Sequence, residues 1–139
     1  MEKAYFALGC FWGVQEYFDK IPGVLETNVG YMGGASKDAN YENIGDHAET
    51  TEIIFDPQLI TYEELLNHFW MEHDPTFFYK GQYRSAIFCD SPAQFEIAKT
   101  SLVTKQAMLD KPIVTEISTD QTFVPAEAYH QKYFAKHRI

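Results

Sequence analysis

Strand-like and helix-like spacings alternate along this chain in the order βαββαβ, which restricts it to a sheet with helices laid against it. Residues 3–8 read as a strand and 10–20 as a helix, ended by Ile21-Pro22-Gly23. Residues 24–31 have strand character and run into the turn Met32-Gly33-Gly34. A polar, irregular loop over 35–48 leads into an alternating strand over 49–55, with Thr51, Ile53 and Phe55 on one face. Thr61-Tyr62-Glu63-Glu64 has the spacing of a capping box, and Leu65, Leu66, Phe69 and Trp70 form the apolar stripe of the helix it opens. Residues 82–89 read as a strand, and Ser91-Pro92 caps a long helix over 92–109. A strand over 113–118 and a last helix over 126–137 complete the chain. The expectation is a single α/β domain over 1–139, a two-layer sandwich on a mixed sheet with appended helices.

Composition narrows the function classes. At 139 residues the chain is long enough to bury a core without staples, and 45% hydrophobic with 22% charged residues is ordinary for a globular fold. A formal charge of −9 opposes a nucleic-acid or anionic-membrane partner. No apolar run approaches the ~20 residues of a membrane span, and Met1-Glu2-Lys3 enters a strand with no room for a signal peptide. Cys10 and Cys89 form neither a disulfide framework nor a Cys-x-x-Cys pair, which points to a reducing, cytoplasmic setting.

Gly9-Cys10-Phe11-Trp12-Gly13 carries the strongest chemical signal. It places a cysteine at a strand-to-helix turn, where free N–H groups and the positive end of the helix dipole favour the thiolate. Two aromatics beside a reactive sulfur suit a small substrate with one apolar arm. A cysteine buried in an aromatic core has the same spacing, so the pentapeptide alone leaves both readings open.

A nucleophile needs a proton donor and hydroxyls for the reacting oxygen. Glu49 stands where the polar loop enters a strand with apolar neighbours, so its carboxyl can be desolvated and its pKa raised. An exposed acid at a strand start fits its position equally. Tyr41 and Tyr83 read either as rim residues or as phenols that clamp an oxygen. His68 and His73 are spaced for different helix faces, and His47 and His130 lack a ligand-spaced partner, so no metal is expected and these histidines read as structural or surface residues. Lys99, Lys105 and Lys111 read as the solvated face of the long helix.

Taken together, these segments resemble the A-type methionine sulfoxide reductases over nearly the whole chain. The resemblance rests on Gly9-Cys10-Phe11-Trp12-Gly13, Gly30-Tyr31-Met32-Gly33-Gly34, Asn40-Tyr41, His47-Ala48-Glu49, Phe55-Asp56-Pro57, Phe69-Trp70, His73-Asp74-Pro75, Gln82-Tyr83-Arg84-Ser85 and Tyr129-His130-Gln131, in the family's order. It implies a split βαβ (ferredoxin-like) core and reduction of the S epimer of methionine sulfoxide, peptide-bound or free. It implies Cys10 as the nucleophile, Glu49 as the acid that protonates the sulfoxide oxygen, and Tyr41 and Tyr83 as donors to that oxygen. Phe11 and Trp12 would pack around the substrate's S-methyl group. No bound cofactor is implied; the partner is an external thiol reductant, a thioredoxin-like protein or a small thiol.

Two departures from the family pattern follow. Only Phe77-Phe78-Tyr79-Lys80-Gly81 joins His73-Asp74-Pro75-Thr76 to Gln82, and it lacks the Asp-bearing stretch of the usual, longer loop. The tail that often carries resolving cysteines is not present after His137-Arg138-Ile139, and Cys89 reads as a small buried hydrophobe. These departures keep two other readings in view: a thiol redox sensor or binding module derived from the family, and a reductase of another alkyl sulfoxide.

Overall fold

A computed structural model describes residues 1–34, 44–79 and 81–137. Its elements are β1 (Glu2–Leu8), α1 (Phe11–Asp19), β2 (Val24–Met32), β3 (Ala48–Phe55), α2 (Tyr62–Met71), β4 (Ser85–Cys89), α3 (Pro92–Gln106), β5 (Glu116–Thr119), β6 (Val124–Pro125) and α4 (Tyr133–Lys136). Among the described residues these strands form one sheet in the order β5-β4-β1-β3-β2-β6. β1 is antiparallel to both β3 and β4, and β3 is antiparallel to β2. β1 and β2 therefore run parallel with β3 between them, and β3 and β4 run parallel with β1 between them. This is the doubled split βαβ arrangement, with α1 and α2 as its crossovers. β5 adds the one parallel pair, against β4, through α3.

The side-chain alternation of the strands decides where the core lies. Ala4, Phe6 and Leu8 of β1, Ile53 and Phe55 of β3, and Ile87 and Cys89 of β4 point to the helix layer. There they meet Phe18 of α1, Leu65, Leu66 and Phe69 of α2, and Ala98 of α3, all buried. The opposite face holds a smaller cluster of Tyr5, Ala7, Met32, Ala48, Ala86 and Phe88, with Phe123 against it. The sandwich thus has two layers. The capping box is formed: Glu64 N donates to Thr61 Oγ1 at 3.1 Å and Thr61 N to Glu64 Oε1 at 3.3 Å.

Local readings fail where side chains or backbone strain override the pattern. Residues 81–83 are a 3-10 turn rather than the start of β4; Gly81 has φ +57°, and the Arg84 guanidinium bonds back to its carbonyl at 3.3 Å. α3 ends at Gln106, so Lys111 lies beyond the helix, and β5 begins at Glu116 rather than at 113. The two-residue strand β6 was not expected. The single final helix is instead a 3-10 turn over Ala128–His130 followed by the short α4, and the break has a cause. The Gln131 side chain is used up against β2, accepting from Val29 N at 2.9 Å and donating to Val29 O at 2.8 Å. The next residue, Lys132, sits at φ +56°.

Candidate active site

The fold delivers a cysteine and a carboxyl to the same end of the sheet. β1 ends in Gly9 at φ +107°, a conformation that lets the chain turn straight into α1. Cys10 is the N-cap residue of α1, in extended conformation, with an exposed side chain. The backbone N–H groups of Trp12 and Gly13, at the helix start, favour its thiolate, although its side chain makes no cap hydrogen bond. Burial nevertheless outweighs them and holds the thiol above the ordinary cysteine range, with the Glu49 charge adding to the rise. At the resting site desolvation and the nearby carboxyl thus oppose the thiolate that the helix start favours.

Glu49, second residue of β3, is 2% exposed. It shares the helix-side face of its strand with Ile53 and Phe55, which aims its carboxyl under the start of α1. Glu49 Oε1 accepts from Phe11 N at 3.2 Å, and Oε2 accepts from Gln82 Nε2 at 2.8 Å. Burial raises its pKa to about 7, against the lowering influence of those two bonds. Such an acid is half-protonated at neutrality and suits proton donation. Sequence reasoning missed Gln82, whose amide fixes the carboxyl. Its neighbour Tyr83 lies on the same 3-10 turn, 38% exposed. Tyr41 lies outside the described residues.

Phe11 and Trp12 build an aromatic wall beside Cys10. Phe11 is 1% exposed and packs on Tyr31 and His130 at ring-centre distances of 5.8 and 5.3 Å. Trp12 stacks on Tyr133 at 3.7 Å, with planes 7° apart, and its Nε1–H donates to His130 Nδ1 at 3.0 Å. His130 is thereby held as an acceptor, and burial lowers its pKa, which favours the neutral ring. His130 was read only as structural or surface; it is buried and orients an aromatic of the site. Tyr31 of β2, paired with Glu49 of β3, donates to Glu127 Oε1 at 3.0 Å and closes the back of this wall.

Arg84 ties the rim together. Its Nη1 donates to Asp46 O at 2.9 Å, its Nη2 to Gly33 O at 3.2 Å, and its Nε to Glu116 Oε2 at 2.5 Å. Two turns and the first residue of β5 are thus pinned by one guanidinium. In the short connection after His73-Asp74-Pro75, Phe77 and Phe78 are exposed at 57% and 76%. His73 Nδ1–H donates to Phe69 O and its Nε2 pairs with Ser85 Oγ, while His47 Nδ1–H donates to Ile44 O; both serve the scaffold. No cluster of three metal-binding side chains occurs among the described residues, and none of their helices is long and apolar enough to cross a membrane.

Known proteins resemble this chain in sequence and fold. The family profile of peptide methionine sulfoxide reductase matches residues 2–139. The chain is 47% identical to peptide methionine sulfoxide reductase MsrA of Methanococcoides burtonii, over 98% of this chain and 97% of the relative. Among solved structures, reduced Mxr1 from Saccharomyces cerevisiae superposes with a TM-score of 0.91 at 30% identity, covering 98% of this chain and 85% of that one. Mxr1 in complex with Trx2 matches with a TM-score of 0.73 at 27% identity, covering 95% of this chain and 84% of that one. The fold, the cysteine at the helix start and the family match agree: this chain belongs to the peptide methionine sulfoxide reductases and is an oxidoreductase that reduces methionine sulfoxide.

Proposed function

We propose that the chain reduces methionine-S-sulfoxide, free or in peptides, with Cys10 as nucleophile and Glu49 as general acid. The observation that carries this reading is the Glu49 carboxyl, buried, raised to about 7 and hydrogen-bonded to the backbone N–H of the residue that follows Cys10. Proton donation to the sulfoxide oxygen makes its sulfur electrophilic. The Cys10 sulfur attacks and takes the oxygen; methionine leaves, reduced by two electrons, and Cys10 remains as a sulfenic acid. Tyr83, beside the Gln82 that bonds Glu49, and Tyr41 supply hydroxyls to the oxygen. Phe11 and Trp12 supply the apolar surface for the S-methyl group, with Trp12 oriented by His130 and Tyr133.

Regeneration needs a thiol from outside the chain. Tyr5 pairs with Phe88 and Leu8 with Ser85, so Cys89 lies level with Ala4, six positions back along β1 from Cys10. At ~3.3 Å per residue the two thiols stand about 15–20 Å apart, beyond the ~7 Å between Cα atoms that a disulfide permits. Cys89 is also 6% exposed, packed in the helix-side core with its pKa raised by burial to about 11. A thioredoxin-like protein is the favoured reductant, in keeping with the Mxr1 complex with Trx2.

The test is anaerobic incubation of the protein with each epimer of methionine sulfoxide and dithiothreitol, with methionine quantified. The S epimer is converted, the R epimer is not, and Cys10→Ser converts neither. Comparable turnover by Cys10→Ser would remove the assignment.

A further inference from the structure

Cys10 has a second side. On α1, positions 10, 13, 14 and 17 form one stripe and Phe11, Gln15 and Phe18 the neighbouring one. The second stripe is buried and carries the N–H that Glu49 holds. The first, joined by the edge of Phe18, faces a cavity of about 190 Å³ between α1 and the end of α2, lined by Leu8, Cys10, Gly13, Val14, Tyr17, Phe18 and Glu72. Glu49 and Trp12 do not line it. The cavity's floor is apolar (Leu8, Val14); the Tyr17 hydroxyl, bonded to His68 Nδ1 at 2.6 Å, and the exposed Glu72 carboxylate stand at its edge.

Displacement at sulfur is collinear: the incoming sulfur lines up opposite the bond that breaks. If the sulfoxide oxygen reaches Cys10 from the Glu49 side, the recycling thiol must arrive from the other. We propose that this cavity is the path by which the recycling thiol reaches the Cys10 sulfenic acid, and that Glu72 selects for thiols carried on a neutral or cationic arm. A new S–S bond forms as the Cys10 S–O bond breaks. The hydroxyl departs with the thiol's proton as water, and a second thiol then releases Cys10 and a disulfide. This rests on Cys10 being the nucleophile. A volume of about 190 Å³ admits a few-atom thiol or a cysteine side chain on a narrow loop.

Three thiols of one length separate charge from size: 2-mercaptoethanesulfonate, 2-mercaptoethanol and cysteamine. The protein is first loaded with one equivalent of methionine-S-sulfoxide, and methionine release is measured without thiol. Decay of the sulfenic acid is then followed with each thiol. A parent protein that releases no methionine in the first step contradicts the nucleophile assignment, separately from the cavity. Glu72→Lys is compatible with the fold, since a cation suits a helix C-terminus. It leaves methionine release unchanged, speeds decay with the sulfonate roughly threefold, slows cysteamine by a similar factor and leaves mercaptoethanol unchanged. Val14→Phe, which fills the cavity, keeps methionine release and slows all three thiols about tenfold or more. If Val14→Phe fails to fold, the charge series alone decides. Equal variant-to-parent ratios for the three thiols, or unslowed decay in a folded Val14→Phe protein, would overturn the proposal. Thioredoxin, run in parallel, shares the path if Val14→Phe slows it too; otherwise the path belongs to small thiols alone.

Discussion

At the scale of single residues, the site is governed by two groups whose ionisation their surroundings disfavour. The Glu49 charge raises Cys10, and burial raises both. Near neutrality the productive form has the proton on Glu49, where it can be given to the sulfoxide oxygen, and the sulfur free to attack. Glu49→Gln therefore lowers the rate of single-turnover methionine formation by about 10²–10⁴-fold. In the parent protein the chemical step rises with pH up to about 7 and then levels off, because the donor's loss of its proton offsets the growing thiolate fraction. That levelling is absent from the residual activity of Glu49→Gln, which keeps rising with pH, and rapid-quench measurements across pH 5–9 check it. The same group predicts a stability effect. With its folded pKa raised from 4.5 to about 7, Glu49 contributes fully below the unfolded value, and that contribution is lost as pH rises through about 7. The melting temperature of Glu49→Gln should gain on the parent between pH 5 and pH 8, by a few degrees. A constant difference across that range would show that the carboxyl is not desolvated.

At the scale of elements, the C-terminal segment works as a clamp on α1. Lys132 N donates to Gln15 Oε1 at 2.7 Å, Gln131 pairs with the β2 backbone, and Tyr133 covers Trp12. His130→Phe keeps the ring and removes the acceptor for the Trp12 indole. It should raise KM for methionine-S-sulfoxide several-fold with a smaller change in kcat, and the Trp12 fluorescence should shift as the indole loses its partner. Equal losses in kcat and KM terms would place His130 in the chemistry itself. Much of the element order was legible because core-facing residues repeat at the strand and helix periods, and the Thr61–Glu64 cap announces α2. The end of the chain was not. Ala126 to His137 reads as a helix, yet the Gln131 side chain replaces two backbone bonds and turns the chain at Lys132, which no periodicity encodes. For the same reason Cys10, Phe11, Trp12 and Glu49 could be nominated from sequence, whereas Gln82 and His130 could not. Their roles arise from contacts 33 and 118 positions apart in the chain, to Glu49 and Trp12.

At the scale of the whole molecule, the antiparallel pairing of β1 with β4 sets the redox cycle. It sends the C-terminal end of β1 and the C-terminal end of β4 to opposite ends of the sheet, so Cys10 and Cys89 are separated by topology and not by side-chain placement. Cys89→Ser should be nearly silent in turnover and in methionine release. At its position the thiol is a packed core group near the Tyr62 hydroxyl, 4.0 Å away, and serine loses little volume. The most direct test of the account is one turnover without reductant. The protein receives one equivalent of methionine-S-sulfoxide in the presence of dimedone, and both cysteines are followed by mass spectrometry. The account predicts one methionine per chain, the dimedone adduct on Cys10 and a free thiol at Cys89. A Cys10–Cys89 disulfide that forms as fast as methionine is released would contradict it.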